Sequence, residues 1–142
     1  MTVAEANTIM QPATAATTIR VDTGSRGGSC NYEYSAFHAI VSVLFRLYVA
    51  GVSLDAIATQ ALAQAQQNGA TITKTTVTGI GDQALYITAS YTVASTNVYA
   101  YYLDTTVGSL YVSCWNTFLG APPATSQQPA LTPVCTQVLS RL

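Results

Sequence analysis

The chain has 142 residues, of which 49% are hydrophobic and only 8% are charged, and its formal net charge at pH 7 is −1. A chain of this length fits one domain with a hydrophobic core, so we predict that residues 1–142 form a single domain. The few Lys and Arg side chains exclude nucleic acid as a partner. The longest apolar run, residues 36–52, is too short and too polar to span a membrane.

Low charge combined with many hydroxyl side chains is typical of secreted bacterial proteins. We therefore expect an extracytoplasmic location, either secreted or in the cell envelope. Residues 1–5 lack the basic start and the apolar segment of a signal peptide. If the natural protein is exported, we expect Met1 to stand where a leader has been replaced.

The first part of the chain predicts a helix and then a strand. Thr2-Val3-Ala4-Glu5 has the form of a capping box, which predicts a short helix through about Met10 that ends before Pro12. Residues 17–22 have the composition of a strand, and residues 23–29, with three glycines, predict a loose turn.

Apolar and polar positions alternate from residue 30 to residue 48, which predicts strands with one face on the core. The pattern leaves open whether residues 35–38 are a turn between two strands or a bulge in one long strand. Ser53 is a suitable N-cap for a central amphipathic helix that ends at Asn68-Gly69. The apolar positions of this helix are Leu54, Ile57, Ala58, Ala61, Leu62 and Ala65.

The second half of the chain predicts four strands joined by short connections, as in antiparallel hairpins. These strands cover residues 71–77, 83–93, 97–105 and 109–115. Between the first two, Gly79 and Gly81, followed by Asp82, predict a turn that needs a positive φ angle. A phosphate-binding glycine loop is excluded here, because a strand follows where that loop requires a helix.

Leu131 to Leu142 carry an apolar stripe at helical spacing, which predicts a C-terminal helix. Taken together, the elements predict an α+β fold. We expect a single antiparallel sheet of about six or seven strands, with the N-terminal, central and C-terminal helices packed on it and covering one face.

Three short segments carry a resemblance: the opening helix Thr2–Met10, the strand start Cys30-Asn31-Tyr32 and the junction Val77–Ala84. In this order they resemble small α+β domains of bacterial lipoproteins and secreted proteins of unknown function. The layout of those domains is related to PsbP-like domains and to the sensor domains of some mycobacterial receptor kinases. The resemblance implies an extracytoplasmic, non-enzymatic role and transfers no catalytic residue. The chain departs from those lipoproteins in having no lipidation cysteine at its start and an odd number of cysteines.

The three cysteines have no metal-binding spacing and His38 is the only histidine, so the sequence predicts neither a metal site nor a cofactor. Cys114 lies on the apolar side of its predicted strand, and Cys135 lies on the apolar stripe of the last helix. We predict a Cys114–Cys135 disulfide, which closes a loop of about 20 residues and stabilises the fold by roughly 3 kcal/mol. Pairing of Cys30 with Cys114 through neighbouring strands is the alternative.

A catalytic role is an alternative hypothesis for three residues near the first strands. His38 is a candidate general base, with Cys30 as nucleophile or Glu33 as partner, in a small cofactor-independent hydrolase or lyase. No sequence motif of thiol or serine hydrolases surrounds these residues. An ordinary strand histidine bonded to a hydroxyl or a carbonyl is therefore the favoured interpretation of His38.

Tyrosine is the most informative residue type in the chain, with nine copies. Tyr99 and Tyr101 share one face of a predicted strand, and Tyr111 lies on the next strand. Together with Tyr32 and Tyr34 they form a predicted ligand-binding strip, because tyrosine combines a large contact area with a polar tip. Ordinary cross-strand pairing that stabilises the sheet is the alternative.

These patterns favour an extracytoplasmic, sensor-like binding domain without catalysis over an enzyme. We expect it to recognise a small molecule or a protein partner, either between the sheet and a helix or across the tyrosine strip. A third hypothesis is a structural subunit that assembles with itself through exposed strand edges, because the chain combines low charge with Thr- and Tyr-rich strands.

Overall fold

The computed structural model describes residues 18–24, 27–34, 39–47 and 52–141. Seven strands lie in these ranges: β1 (Thr18–Gly24), β2 (Gly27–Tyr34), β3 (Ala39–Leu47), β4 (Thr71–Val77), β5 (Gln83–Val93), β6 (Thr96–Val107) and β7 (Leu110–Leu119). Three helices accompany them: α1 (Leu54–Ala61), α2 (Ala63–Gln67) and α3 (Gln128–Leu139).

All neighbouring strands pair antiparallel, in the order β1-β2-β3-β7-β6-β5-β4. Strands β4 to β7 form a meander, and its last strand returns to lie beside β3, where Cys114 is paired with Val43. Since β4 ends this order, its outer edge has no neighbouring strand among the described residues.

The four strands β4–β7 carry a helix on each side. Tyr86, Leu103 and Cys114 lie in one row across β5, β6 and β7 and pack against α3. We call this side the α3 face. Ile87 and Ala100 lie on the other side. They pack against Ala58 of α1 and against Leu62, which follows the last residue of α1. We call that side the α1 face.

This arrangement corrects the predicted layout of a sheet of about six or seven strands with three helices covering one face. The helices lie on opposite faces, and the four strands β4–β7 form the part of the sheet that they cover. The prediction was wrong because residues 84–87 of β5 are apolar at both parities, so no polar face marks a solvent side. The predicted N-terminal helix, residues 2–10, lies outside the described residues. The coarse α+β class is correct.

The central helix begins as predicted, because the Ser53 side chain accepts a hydrogen bond from the Ala56 N–H group at 3.2 Å. It is not continuous, however. The chain leaves helical geometry at Leu62, with φ −93° and ψ 0°, and resumes in the short helix α2. Strands β2 and β3 pair antiparallel. Residues 35–38, for which the sequence left a turn or a bulge open, lie outside the described residues.

The predicted disulfide is confirmed: Cys114 of β7 is bonded to Cys135 of α3. This bond excludes the alternative pairing of Cys114 with Cys30. Neither sulfur-bearing residue is exposed to solvent. The disulfide therefore fixes α3 to the centre of the α3 face from inside the core.

Candidate functional site

A cleft of about 410 Å³ opens between the start of α1 and the turn that joins β4 to β5. Its apolar lining includes Leu54, Ile80 and Ala84, all of which are buried. Polar side chains line the same cleft: Ser53, Asp55, Thr76, Thr78, Asp82 and Gln83. A cavity with a buried apolar floor and a few polar groups is the usual form of a small-ligand site.

The β4–β5 turn is one wall of the cleft, and hydrogen bonds fix it to the end of β6. The Asp82 N–H group donates to the Thr106 carbonyl oxygen at 2.7 Å, and the Asp82 carboxylate accepts from the Gly108 N–H group at 2.7 Å. Gly79 and Gly81 have φ angles of +81° and +57°, which confirms the predicted turn. The turn therefore keeps its shape without a ligand.

The start of α1 is the opposite wall, and an ion pair ties it to the edge strand β4. Lys74 Nζ lies 2.7 Å from Asp55 Oδ1 and also donates to the Thr59 hydroxyl at 2.7 Å. Because both walls are held by contacts within the protein, the cleft is preformed, which lowers the entropic cost of binding.

The charge of the cleft disfavours anionic ligands. Among the described residues that line it, Asp55 and Asp82 are the only charged ones. One carboxylate oxygen of Asp55 accepts a hydrogen bond from Lys74, and one of Asp82 accepts from the Gly108 N–H group. No described residue donates to the second oxygen of either carboxylate. The cleft therefore suits a ligand with an apolar body and hydrogen-bond donors.

The predicted tyrosine strip is not continuous in the structure. Tyr99 and Tyr101 lie on the α3 face, where the Tyr101 ring meets Phe118 edge to face at 6.1 Å between ring centroids. Tyr111 lies on the α1 face, is 2% exposed and packs against Leu54 and Ile57. The strand of Tyr32 and Tyr34, β2, is separated from β6 by β3 and β7, a distance of about 14 Å.

The residues of the catalytic hypothesis are placed only in part. His38 lies outside the described residues. Cys30 and Glu33 lie on β2, where their Cα atoms pair with those of Val43 and Ile40. A site that combines them stays a prediction. In the part of the chain that the structure describes, no cluster of His, Cys, Asp and Glu side chains could hold a metal ion.

None of the helices in the described ranges is long and apolar enough to cross a membrane.

On the α1 face, Tyr102 stacks on Trp115 with 6.3 Å between ring centroids. Burial raises the pKa of Tyr102 to about 12, and the neighbouring Tyr91 phenol and Asp104 carboxylate contribute in the same direction. The Asp104 carboxylate is itself buried and accepts a hydrogen bond from the Ser113 hydroxyl.

This shift predicts a loss of stability at high pH. The unfolded chain releases the Tyr102 proton near pH 10 and the folded chain near pH 12. Between these values the unfolded state binds fewer protons, so the free energy of unfolding falls as the pH rises, by about 2–3 kcal/mol at pH 12. Urea unfolding of wild type and Tyr102→Phe between pH 9 and 12 measures this. We expect the variant to have the shallower slope, and equal slopes would contradict the assignment.

The cleft joins residues that are distant in sequence, and sequence analysis did not identify it as a site. Ser53 and Asp82 each carried a local signal, as a helix cap and as a turn residue. Neither signal shows that residues 53–55 lie beside residues 76–85. That proximity depends on α1 packing on the α1 face while the next strand, β4, forms the sheet edge beneath it.

Similarity to known proteins does not identify the site. No protein-family model matches the chain, and none of the curated proteins is significantly similar to it.

Proposed function

We propose that this protein is a small-ligand-binding, sensor-like domain without catalysis, and that the cleft between α1 and the β4–β5 turn is its binding site. The observation that carries the proposal is the preformed cavity of about 410 Å³. Its volume lies in the usual range for small-molecule sites, about 300–1,000 Å³. Its floor is buried and apolar, and its polar groups lie at the start of α1 and in the turn.

The ligand class follows from those groups. An apolar body of the ligand contacts Leu54 and Ile80, while hydroxyl, amide or ammonium groups of the ligand donate to Asp55 and Asp82. No Lys or Arg lines the cleft to compensate the charge of an anionic ligand. The preferred ligand is therefore a small neutral or cationic amphiphile.

An extracytoplasmic location is part of the proposal. The buried Cys114–Cys135 disulfide supports it, because disulfides persist mainly in oxidising compartments. The low charge and the high hydroxyl content are consistent with the same location. A sensor-like role is also what the resemblance to bacterial envelope domains implies, which rests on the order of three segments in the sequence.

The test blocks the cleft with a large side chain at an exposed residue of its lining. Thr76 is exposed and lines the cleft, whereas the adjacent Thr75 is also exposed but points to the other side of β4. A fragment library rich in amines and alcohols with apolar bodies is screened against the wild type by thermal shift. We expect Thr76→Trp to weaken binding of each hit at least tenfold, because the indole occupies the cleft.

Thr75→Trp is the matched control and is expected to bind the hits like the wild type. Equal weakening in both variants would place the hits elsewhere and contradict the proposal. The proposal would also be contradicted if no fragment in the library bound this protein more tightly than it binds a non-specific control protein.

A further inference from the structure

A second surface lies on the α3 face beside the part that α3 covers, and one of its residues, Tyr101, packs against the core beneath α3. It consists of Thr71 and Thr73 of β4, Thr88 and Ser90 of β5, and Tyr99 and Tyr101 of β6. These six residues form two rows across the strands, Thr71-Ser90-Tyr99 and Thr73-Thr88-Tyr101. We call them the hydroxyl–tyrosine surface. The two β4 residues are exposed and the other four are half-buried.

Every polar group of this surface is an uncharged hydroxyl or phenol. Burial raises the pKa of Tyr101, with contributions from the Tyr86 and Tyr99 phenols, so its ring stays neutral at physiological pH. Each hydroxyl can both donate and accept a hydrogen bond. The faces of the two tyrosine rings carry negative partial charge, which attracts the C–H groups of a ligand.

The side chains of the hydroxyl–tyrosine surface lose little freedom when a ligand binds. Threonine is branched at Cβ and has a restricted χ1 angle, and Tyr101 is held edge to face against Phe118. The rows are regular as well, because neighbouring strands lie about 4.8 Å apart. A stiff, regular surface binds a repeating ligand at low entropic cost.

We propose that the hydroxyl–tyrosine surface binds a neutral polysaccharide. Sugar rings present C–H groups that stack on aromatic faces and hydroxyls that both donate and accept, which is the complement of the groups found here. An anionic polymer finds no counter-charge on this surface, because its six residues include no Lys or Arg. Charge complementarity therefore selects an uncharged chain.

The surface is independent of the cleft. Thr71 and Thr76 lie on opposite faces of β4 and about 17 Å apart along it. No residue of the hydroxyl–tyrosine surface lines the cleft. Failure of one proposal therefore leaves the other standing.

The test measures retention of the purified protein on insoluble cellulose, chitin and starch at physiological salt. We expect at least one of them to retain the wild type, and Tyr99→Ala to reduce this retention at least tenfold. The control is Tyr91→Ala, which removes a half-buried tyrosine from the opposite face of the same hairpin. Far-ultraviolet circular dichroism of both variants confirms folding.

Thr73→Lys covers the case in which Tyr99→Ala does not fold. Thr73 is exposed on the edge strand, so a lysine is tolerated there, and we expect retention to fall because the charged side chain covers the row. Retention by none of the three polysaccharides, or equal loss in Tyr91→Ala, overturns the proposal. Sedimentation in which Thr73→Lys converts a wild-type dimer to a monomer also overturns it, since the surface would then join two copies of the chain.

Discussion

Replacing Gly81 by alanine is expected to lower the free energy of unfolding by about 2–5 kcal/mol, the sum of a left-handed backbone cost of about 1–2 and an overpacking cost of about 1–3 kcal/mol. Gly81 has a φ angle of +57°, and an added Cβ would meet the Thr105 hydroxyl and lie 2.5 Å from the Thr106 carbonyl oxygen. That carbonyl accepts the hydrogen bond from the Asp82 N–H group. The turn cannot move away without breaking the bond.

Gly79 is the matched control because it differs in only one of these two respects. Its φ angle of +81° is also left-handed, but an added Cβ there meets nothing within 4 Å. Gly79→Ala is therefore expected to cost only about 1–2 kcal/mol. Urea unfolding of both variants measures the difference. Equal losses would mean that the contact of Gly81 with β6 contributes nothing to stability.

Removing the disulfide is expected to cost about 3 kcal/mol in the variant Cys114→Ala/Cys135→Ala. The two cysteines are 21 positions apart, so their bond closes a loop that includes the connection from β7 to α3. Without it, α3 is held to the sheet mainly by apolar contacts of Leu131, Val134 and Val138. We expect α3 to be the first element to lose amide protection in hydrogen exchange.

Burial supplies a second readout for the disulfide. Both cysteines are fully buried, so a reductant reaches the bond only when the protein opens. We expect slow reduction in buffer and fast reduction in urea. A denatured, unreduced sample that titrates with three thiols would contradict the bond, and a loss of stability below about 1 kcal/mol in the double variant would contradict its role.

Local signals in the sequence predicted local structure well. Ser53 followed by apolar residues at helical spacing predicted the start of α1, and the glycines before Asp82 predicted a turn with positive φ angles. The cysteine pair was predicted from its position on two apolar stripes, because disulfide partners both face the core. Each of these predictions concerns a single helix start, a single turn or a single pair of residues, so it does not depend on the order of the strands in the sheet.

The placement of the helices could not be predicted in the same way. Both parities of β5 are apolar, as Leu85 and Tyr86 illustrate, because each face packs under its own helix. The residue pattern of such a strand does not indicate which helix covers which face. The prediction for Tyr111 failed because the β6–β7 register pairs Tyr101 with Asn116, so Tyr111 falls on the opposite face of the sheet and packs beneath α1.

The cleft could not be predicted because no single segment contains it. Asp55 becomes part of it only when the apolar residues of α1 pack on the α1 face and bring its start beside β4, and Asp82 only when β6 holds the turn. Both conditions depend on the order of strands in the sheet. Periodicity along the chain does not contain that information.

Nuclear magnetic resonance of the backbone amides, recorded during titration with fragments from the amine and alcohol library, tests the cleft as a binding site most directly. We predict that binding shifts the amides of residues 53–55 and 78–82 together, because these two segments face each other across the cleft. Shifts in both segments that are absent in Thr76→Trp would support the cleft as the binding site. Shifts confined to other residues, or to only one of the two segments, would contradict it.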